Sequence, residues 1–209
     1  MTGIPVAYDE LVGIDMLNEV ARGHWRKSSS KTVAGTTTAT DLLNGEVTID
    51  ARAMGLDKIL RLTAWGDWKQ NSGSGRDVPA FQLIFGGATV IDTDSSGGSV
   101  VSSSSARFGW KIQCEILNLA ATRSQWATFS GWLGFAPAGP ESVQNFTTGE
   151  GYVFADNAAS ISNGRAQYLG SNTGSVDTTS SCPLLLKVKN ANSSANYETK
   201  LYGALVEII

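Results

Sequence analysis

Charge is what this sequence has little of. Lys, Arg, Asp and Glu make up 17% of its 209 residues, against about a quarter in ordinary soluble domains. That figure argues against a monomer built of solvated, charged helices and fits a surface largely taken up by neighbours. The net charge is −3 and no basic tract exists, so a nucleic-acid partner has no electrostatic footprint. There is one histidine, His24. A Ser-His-Asp triad would have to borrow it from the N-terminal segment, and no second histidine or CxxC pair is present for zinc. The two cysteines, Cys114 and Cys182, cannot form a disulfide framework and read as buried thiols. No stretch approaches the roughly 20 apolar residues of a membrane helix. The start, "MTGIPVAYDELVG", lacks the basic and apolar blocks of a secretory signal, so the triplets at Asn145 and Asn192 read as chance matches to the glycosylation pattern. No phosphate-cradling glycine loop follows a strand. The expectation is a soluble protein that is not an enzyme, needs no cofactor, and has neither nucleic acid nor membrane as partner.

What the sequence has is β structure. Glycine accounts for 23 residues, and Ser and Thr are abundant. From residue 31 onward, β-branched and aromatic residues alternate with polar ones between turn signals. "KILRLTAW" places Leu60, Leu62 and Ala64 on one face. "VPAFQLIFGG" alternates Phe81, Leu83 and Phe85 and ends in a Gly86-Gly87 turn. "RFGWKIQCEIL" sets Phe108, Trp110, Ile112, Cys114 and Ile116 against Lys111, Gln113 and Glu115. "CPLLLKVKN" does the same with Leu184, Leu186 and Val188. Eight to ten such strands predict an all-β sandwich. The closing strand, Leu201 to Ile209, carries one charge, Glu207, and is apolar on both faces. It is expected to lie inside its sheet with a neighbouring subunit as second cover.

Residues 6–27 carry the one helical pattern. Leu11, Ile14 and Leu17 recur at helical steps, with Asp9 and Glu10 early and Arg22, Arg26 and Lys27 late, as the helix dipole prefers. The predicted organisation is an N-terminal helical arm, 1–30, and a β domain, 31–209. The arm has little to pack on internally, so Tyr8, Leu11, Ile14, Leu17, His24 and Trp25 are its candidate anchoring residues.

Trp65 and Trp68 stand three apart and cannot both face inward on a regular strand. One ring is expected to close the core and the other to meet the rim or a subunit seam. Exposed aromatics such as Trp68 or Trp132 would be the candidate contacts for a glycan. "DTDSSGG" opens like a calcium loop with Asp92, Asp94 and Gly97, but Ser103 stands where the closing bidentate acid should be.

The stretch "ILRLTAWGDWKQNSGSGRDVPAFQLIFGGATVIDTD" resembles a module of tailed-bacteriophage virion proteins. In that module a strand with a Trp-Gly-Asp ending, an Asn-Ser-Gly turn and a strand closed by Phe-Gly-Gly follow one another. "RFGWKIQCEIL", Val176-Asp177-Thr178-Thr179 and Ala204-Leu205-Val206-Glu207 continue the order, and Leu17-Asn18-Glu19-Val20-Ala21-Arg22 resembles the short helix with which such proteins begin. The similarity covers about residues 45–209, and the 136–160 loop is longer than the pattern. The resemblance implies a trimeric jelly roll of tumour-necrosis-factor-like type on the outer surface of a virion, with the major capsid protein or another virion protein as partner. The leading role it implies is a capsid decoration or cement protein, and the alternative is a tail-fibre or head-fibre knob binding host glycans. Trp65, Leu201, Tyr202, Leu205, Val206 and Ile208 are the residues expected at the trimer interface.

Overall fold

A computed structural model describes residues 24–56, 58–73, 76–93, 100–101, 103–135, 152–155 and 164–209. All regular structure among them is β. The strands are β1 (His24–Lys27), β2 (Lys31–Ala34), β3 (Thr40–Asp41), β4 (Thr48–Ile49), β5 (Ile59–Gln70), β6 (Arg76–Asp77), β7 (Ala80–Phe85) and β8 (Ala88–Asp92). There follow β9 (Val100–Val101), β10 (Ser104–Asn118), β11 (Gln125–Phe135), β12 (Tyr152–Ala155), β13 (Gly164–Gly174), β14 (Cys182–Lys189) and β15 (Tyr197–Ile208).

Two antiparallel sheets carry the fold, consistent with a β-sandwich. The larger runs β1-β15-β5-β10-β11-β13-β12, with β2 also on β15. The smaller runs β3-β14-β7-β8, with β4 also on β14, and β6 and β9 form a separate pair. The alternation read in the sequence sets what lies between the sheets. Leu60, Leu62 and Ala64 of β5, Trp110, Ile112, Cys114 and Ile116 of β10, Phe81, Leu83 and Phe85 of β7, and Leu184, Leu186 and Val188 of β14 are all buried. Contact across the sandwich is direct. The Phe81 and Trp110 rings, one from each sheet, lie 5.1 Å apart in a tilted arrangement, a favoured aromatic geometry. The β7–β8 hairpin turns on Gly86 and Gly87, with φ of 55° and 84°. Two left-handed residues in a two-residue loop match the strand twist.

A buried polar lattice fastens the crossing from β13 to β14. The Gln125 side chain accepts from Val176 N at 2.7 Å and donates to Val176 O at 3.0 Å and to Asn118 Oδ1 at 2.9 Å. Asn118 Nδ2 donates to Thr178 Oγ1 at 3.1 Å and to Gly55 O. Gln125, Asn118 and Thr178 are all buried, so these bonds satisfy groups that water cannot reach.

Two sequence expectations change here. The helix read over 6–27 does not extend through its last residues. His24–Lys27 is strand β1, paired antiparallel with Ala204–Glu207. Trp25, one of the expected anchoring residues, packs against the core, and the Lys27 ammonium is buried and bonded to Glu46 at 2.7 Å. An edge strand that completes the β15 ladder outweighs a helical pattern already weakened by Gly23. The boundary placed at residue 30 falls in the connection between β1 and β2, both of which pair with β15. Tyr8, Leu11, Ile14 and Leu17 lie outside the described residues. The second change concerns β15. It lies inside its sheet as expected, but its register shifts between Leu201 and Gly203, a bulge that leaves Tyr202 outside the pairing.

Next to that bulge the backbones of β5 and β15 approach closely. A Cβ on Gly66 would collide with the Lys200 carbonyl oxygen and lie 2.8 Å from Trp110 Cζ2. Gly66→Ala should therefore cost about 2–3 kcal/mol by overpacking, read as a lower urea midpoint with an unchanged denaturant slope. An unshifted midpoint would show that the approach relaxes freely.

Candidate functional site

Residues directly paired across neighbouring strands point to the same face, so the register defines the outer face of the large sheet. Two of its rows are rich in large apolar side chains.

The first row crosses the end of the sheet. Ile209 and Ile59 exchange both backbone hydrogen bonds, at 2.8 and 3.0 Å. Ile59 pairs with Leu117, and Leu117 with Trp126. Leu119 lies two residues past Leu117, its N–H on Ser124 O at 2.7 Å, and Leu56 lies three residues before Ile59. Leu56, Leu119, Trp126 and Ile209 are 41–50% exposed, a concentration of apolar surface at one end of the molecule.

The second row is Gly203–Trp65–Lys111–Trp132. Trp65 is 42% and Trp132 37% exposed. Each ring sits against a glycine. A Cβ on Gly203 would fall 2.5 Å from Trp65 Cζ2, and one on Gly109 would fall 3.4 Å from Trp132 Cη2.

Between the rows the face is polar. Thr63, Gln113 and Ser130 form one cross-strand row, and Arg61, Glu115 and Thr128 another. Arg61 Nε meets Glu115 Oε1 at 2.9 Å. Beyond the tryptophan row stands an ionic network. Arg107 donates from Nε and Nη2 to Asp67 Oδ1 at 2.8 and 2.6 Å and from Nη1 to Glu198 Oε2 at 2.6 Å. Lys69 meets Glu198 Oε1 at 2.8 Å, and Tyr202 Oη donates to Asp67 Oδ2 at 2.5 Å. The network ties β5, β10 and β15 together where the β10–β5 and β15–β5 registers both break. Partial burial works to raise the Asp67 carboxyl, but hydrogen bonds from Arg107 and Tyr202 outweigh it and hold the group below its ordinary range. Hydrogen bonds from Lys69 and then Arg107 lower Glu198 likewise.

The expected site residues divide. Trp65 and Trp132 share one row of one face. Trp68, expected as a glycan contact, does not reach the surface. It is 1% exposed, donates from Nε1 to Gly134 O at 2.7 Å and packs on Tyr197 at 5.7 Å. The two-residue period of β5 sends Trp68 in and Trp65 out. Of the expected trimer-interface residues, Leu201 and Val206 are buried in the chain's own core and are withdrawn from that role. Ile208 is half-buried against the same core. Tyr202 is 44% exposed, and Leu205, paired with Thr63, is half-buried. His24 lies opposite Glu207 in the register.

Asp92 accepts from Gln82 Nε2 at 2.8 Å, and the Ser103 hydroxyl serves the turn at Asn71–Gly73. Asp94 and Gly97 lie outside the described residues. Burial pushes the Cys114 thiol well up, and burial followed by Asp177 raises Cys182, so neither is an activated thiolate.

Sequence reading missed Trp126 and the Arg107 network. Trp126 was legible in principle. It stands six residues from Trp132 on β11, hence on the same face, and an odd number from inward Phe129. The network joins residues 40 and 91 positions apart, and no local pattern shows such partners.

The depressed carboxyl groups fix a sign. The folded state binds fewer protons than the unfolded chain in the window just below the ordinary carboxylate range. The network's stabilisation is therefore fully present above about pH 5 and is lost as pH falls below about 4. Arg107→Ala should lower stability by about 1 kcal/mol at neutral pH and flatten the acid limb of the stability–pH curve. Parallel curves for the two proteins in denaturant titrations across that range would show that the network is not the source.

Neither a protein-family model nor a curated protein sequence matches the chain.

Proposed function

We propose that the chain is a structural subunit of a tailed-bacteriophage virion, a jelly-roll protein that assembles as a trimer and decorates the capsid, tying neighbouring shell subunits together. The observation that carries the assembly part is the apolar row Ile209–Ile59–Leu117–Trp126 with Leu56 and Leu119 beside it. An isolated sandwich would leave this end wet, and a symmetric contact between copies would cover it. It supplies the second cover expected for the apolar C-terminal strand, through Ile209 and not through Leu201 or Val206. The virion assignment rests on the sequence resemblance. The N-terminal segment, with Tyr8, Leu11, Ile14 and Leu17, is the proposed anchor on the shell. The alternative, a tail-fibre or head-fibre knob on host glycans, keeps Trp132 as a contact and loses Trp68.

Sedimentation velocity of the full chain tests the assembly. A trimer is expected, and Trp126→Glu should shift it toward monomer by placing a charge in the seam. A monomeric parent would remove the assembly reading, and a trimeric variant would move the seam elsewhere. For the anchor, the full chain carrying Leu11→Asp and Leu17→Asp should remain trimeric and lose co-sedimentation with capsids. Undiminished binding would overturn the anchoring role. Copy number per virion separates the two roles: hundreds indicate decoration, a few dozen or fewer a fibre.

A further inference from the structure

We propose that the acidic N-terminal segment of the chain docks on its own large sheet, across a basic surface around Trp65. The inference depends neither on the virion role nor on the apolar row proposed as the seam. That row is six residues away along β5, roughly 20 Å at strand rise.

Three observations carry it. The first is unbalanced charge. Arg26, Lys111 and Lys200 belong to the outer face, Arg26 paired with Leu205, Lys111 with Trp65 and Lys200 with Asp67. None of the three makes an ion pair among the described residues. Asp67 is engaged by Arg107 and Tyr202, and Lys200 lies over the Tyr202 ring at 4.9 Å. Glu207, opposite Arg61, offsets one of these charges, so the face keeps a basic surplus. Trp65 and Tyr202, 42% and 44% exposed, stand among the cations. The second is complementary charge. Residues 1–21 hold Asp9, Glu10, Asp15 and Glu19 and no Lys, Arg or His. The third is where that segment joins the sheet. Residues 1–23 lie outside the described residues and lead into His24, the first residue of edge strand β1, two residues before Arg26. Lys111 is three strand spacings from β1, about 15 Å, and Lys200 is seven residues along β15 from the partner of His24, about 23 Å. The nine residues from Asp15 to His24 span up to about 30 Å, so Asp15 reaches both lysines and Glu19 reaches Arg26. Each exposed pair contributes little alone, but acids tethered to the sheet meet it at high effective concentration. The contact uses the acids and leaves Leu11, Ile14 and Leu17 to the anchoring role.

The test is a nitroxide at residue 12 of the full chain, attached through Val12→Cys and read by NMR line broadening. Cys114 and Cys182 are buried and stay unlabelled. The Trp65 indole N–H and the Lys111 amide should broaden at low salt. Both should sharpen in about 1 M salt, where the Debye length is about 3 Å. They should also sharpen when Arg26→Gln, Lys111→Gln and Lys200→Gln are combined. The same is expected when Asp9→Asn, Glu10→Gln, Asp15→Asn and Glu19→Gln are combined, each set with unchanged circular dichroism. The Trp126 indole should stay sharp throughout. Absence of broadening at low salt would overturn the docking. So would broadening that survives salt or either set of substitutions, or that centres on Trp126. Broadening found only between labelled and unlabelled copies in a mixed sample would overturn docking on the segment's own sheet.

Discussion

β5 is paired along its length with β15 on one side and β10 on the other, and this double pairing constrains everything nearby. A strand held at both edges cannot slip by one residue without turning its whole core face to water. Leu60, Leu62, Ala64 and Trp68 are therefore fixed inward, and Trp65 is fixed outward. Strain has to be taken up by the neighbours. β15 does so with the bulge at Tyr202, and β10 does so with a register break between Ser104 and Phe108. Gly66 allows the Lys200 carbonyl to close on β5. The bulge also creates the outer surface: it sets Gly203 opposite Trp65, and the missing side chain there gives the indole its seat.

Alternation was legible wherever one face of a strand is core and the sequence keeps its period. β5, β7, β10 and β14 could be read residue by residue for that reason. Trp65 and Trp68 could be assigned to opposite faces, and the period that turns Leu60, Leu62 and Ala64 inward turns Trp68 inward with them. What the sequence could not show is what holds Trp68 there, Tyr197 and the Gly134 carbonyl from distant parts of the chain. β15 was misread because its bulge changes the parity of inward positions midway. Leu201, Ala204 and Val206 are inward, while Tyr202 and Leu205 are not. A straight alternation applied to that sequence makes both faces look apolar, and Gly203 is the only local sign of the change. His24–Lys27 was misread for a different reason. Its basic residues suit a helix C-terminus, but the open edge of β15 offered four residues of ladder.

The low charge of the chain takes a definite form on the large sheet. Acidic and basic side chains there occur mainly as cross-strand partners, Arg61 with Glu115 and Arg107 with Asp67 and Glu198. Pairs of this kind contribute little stability when exposed, but they cancel the local field. Arg26, Lys111 and Lys200 lie on the same sheet as well, so the cancellation is local to these pairs. The two apolar rows sit on that sheet with polar rows between. A subunit covering one row can leave the other open.

The parts of the sequence that carry the phage resemblance have internal duties in the structure. Gly86 and Gly87 make a hairpin turn, Arg107 joins three strands, and Val176 to Thr179 is fastened by Gln125 and Asn118 under the end of the large sheet. A pattern of this kind follows from the demands of the fold, and a fold hosts many roles. Trp126, Trp132, Leu119 and Ile209 lie outside the quoted pattern and on the surface. Nothing in the core requires them to be large or apolar, and exposing them to water has a cost. Their presence is therefore better explained by contact with something outside the chain, and it is in them that the specific role of this protein is written.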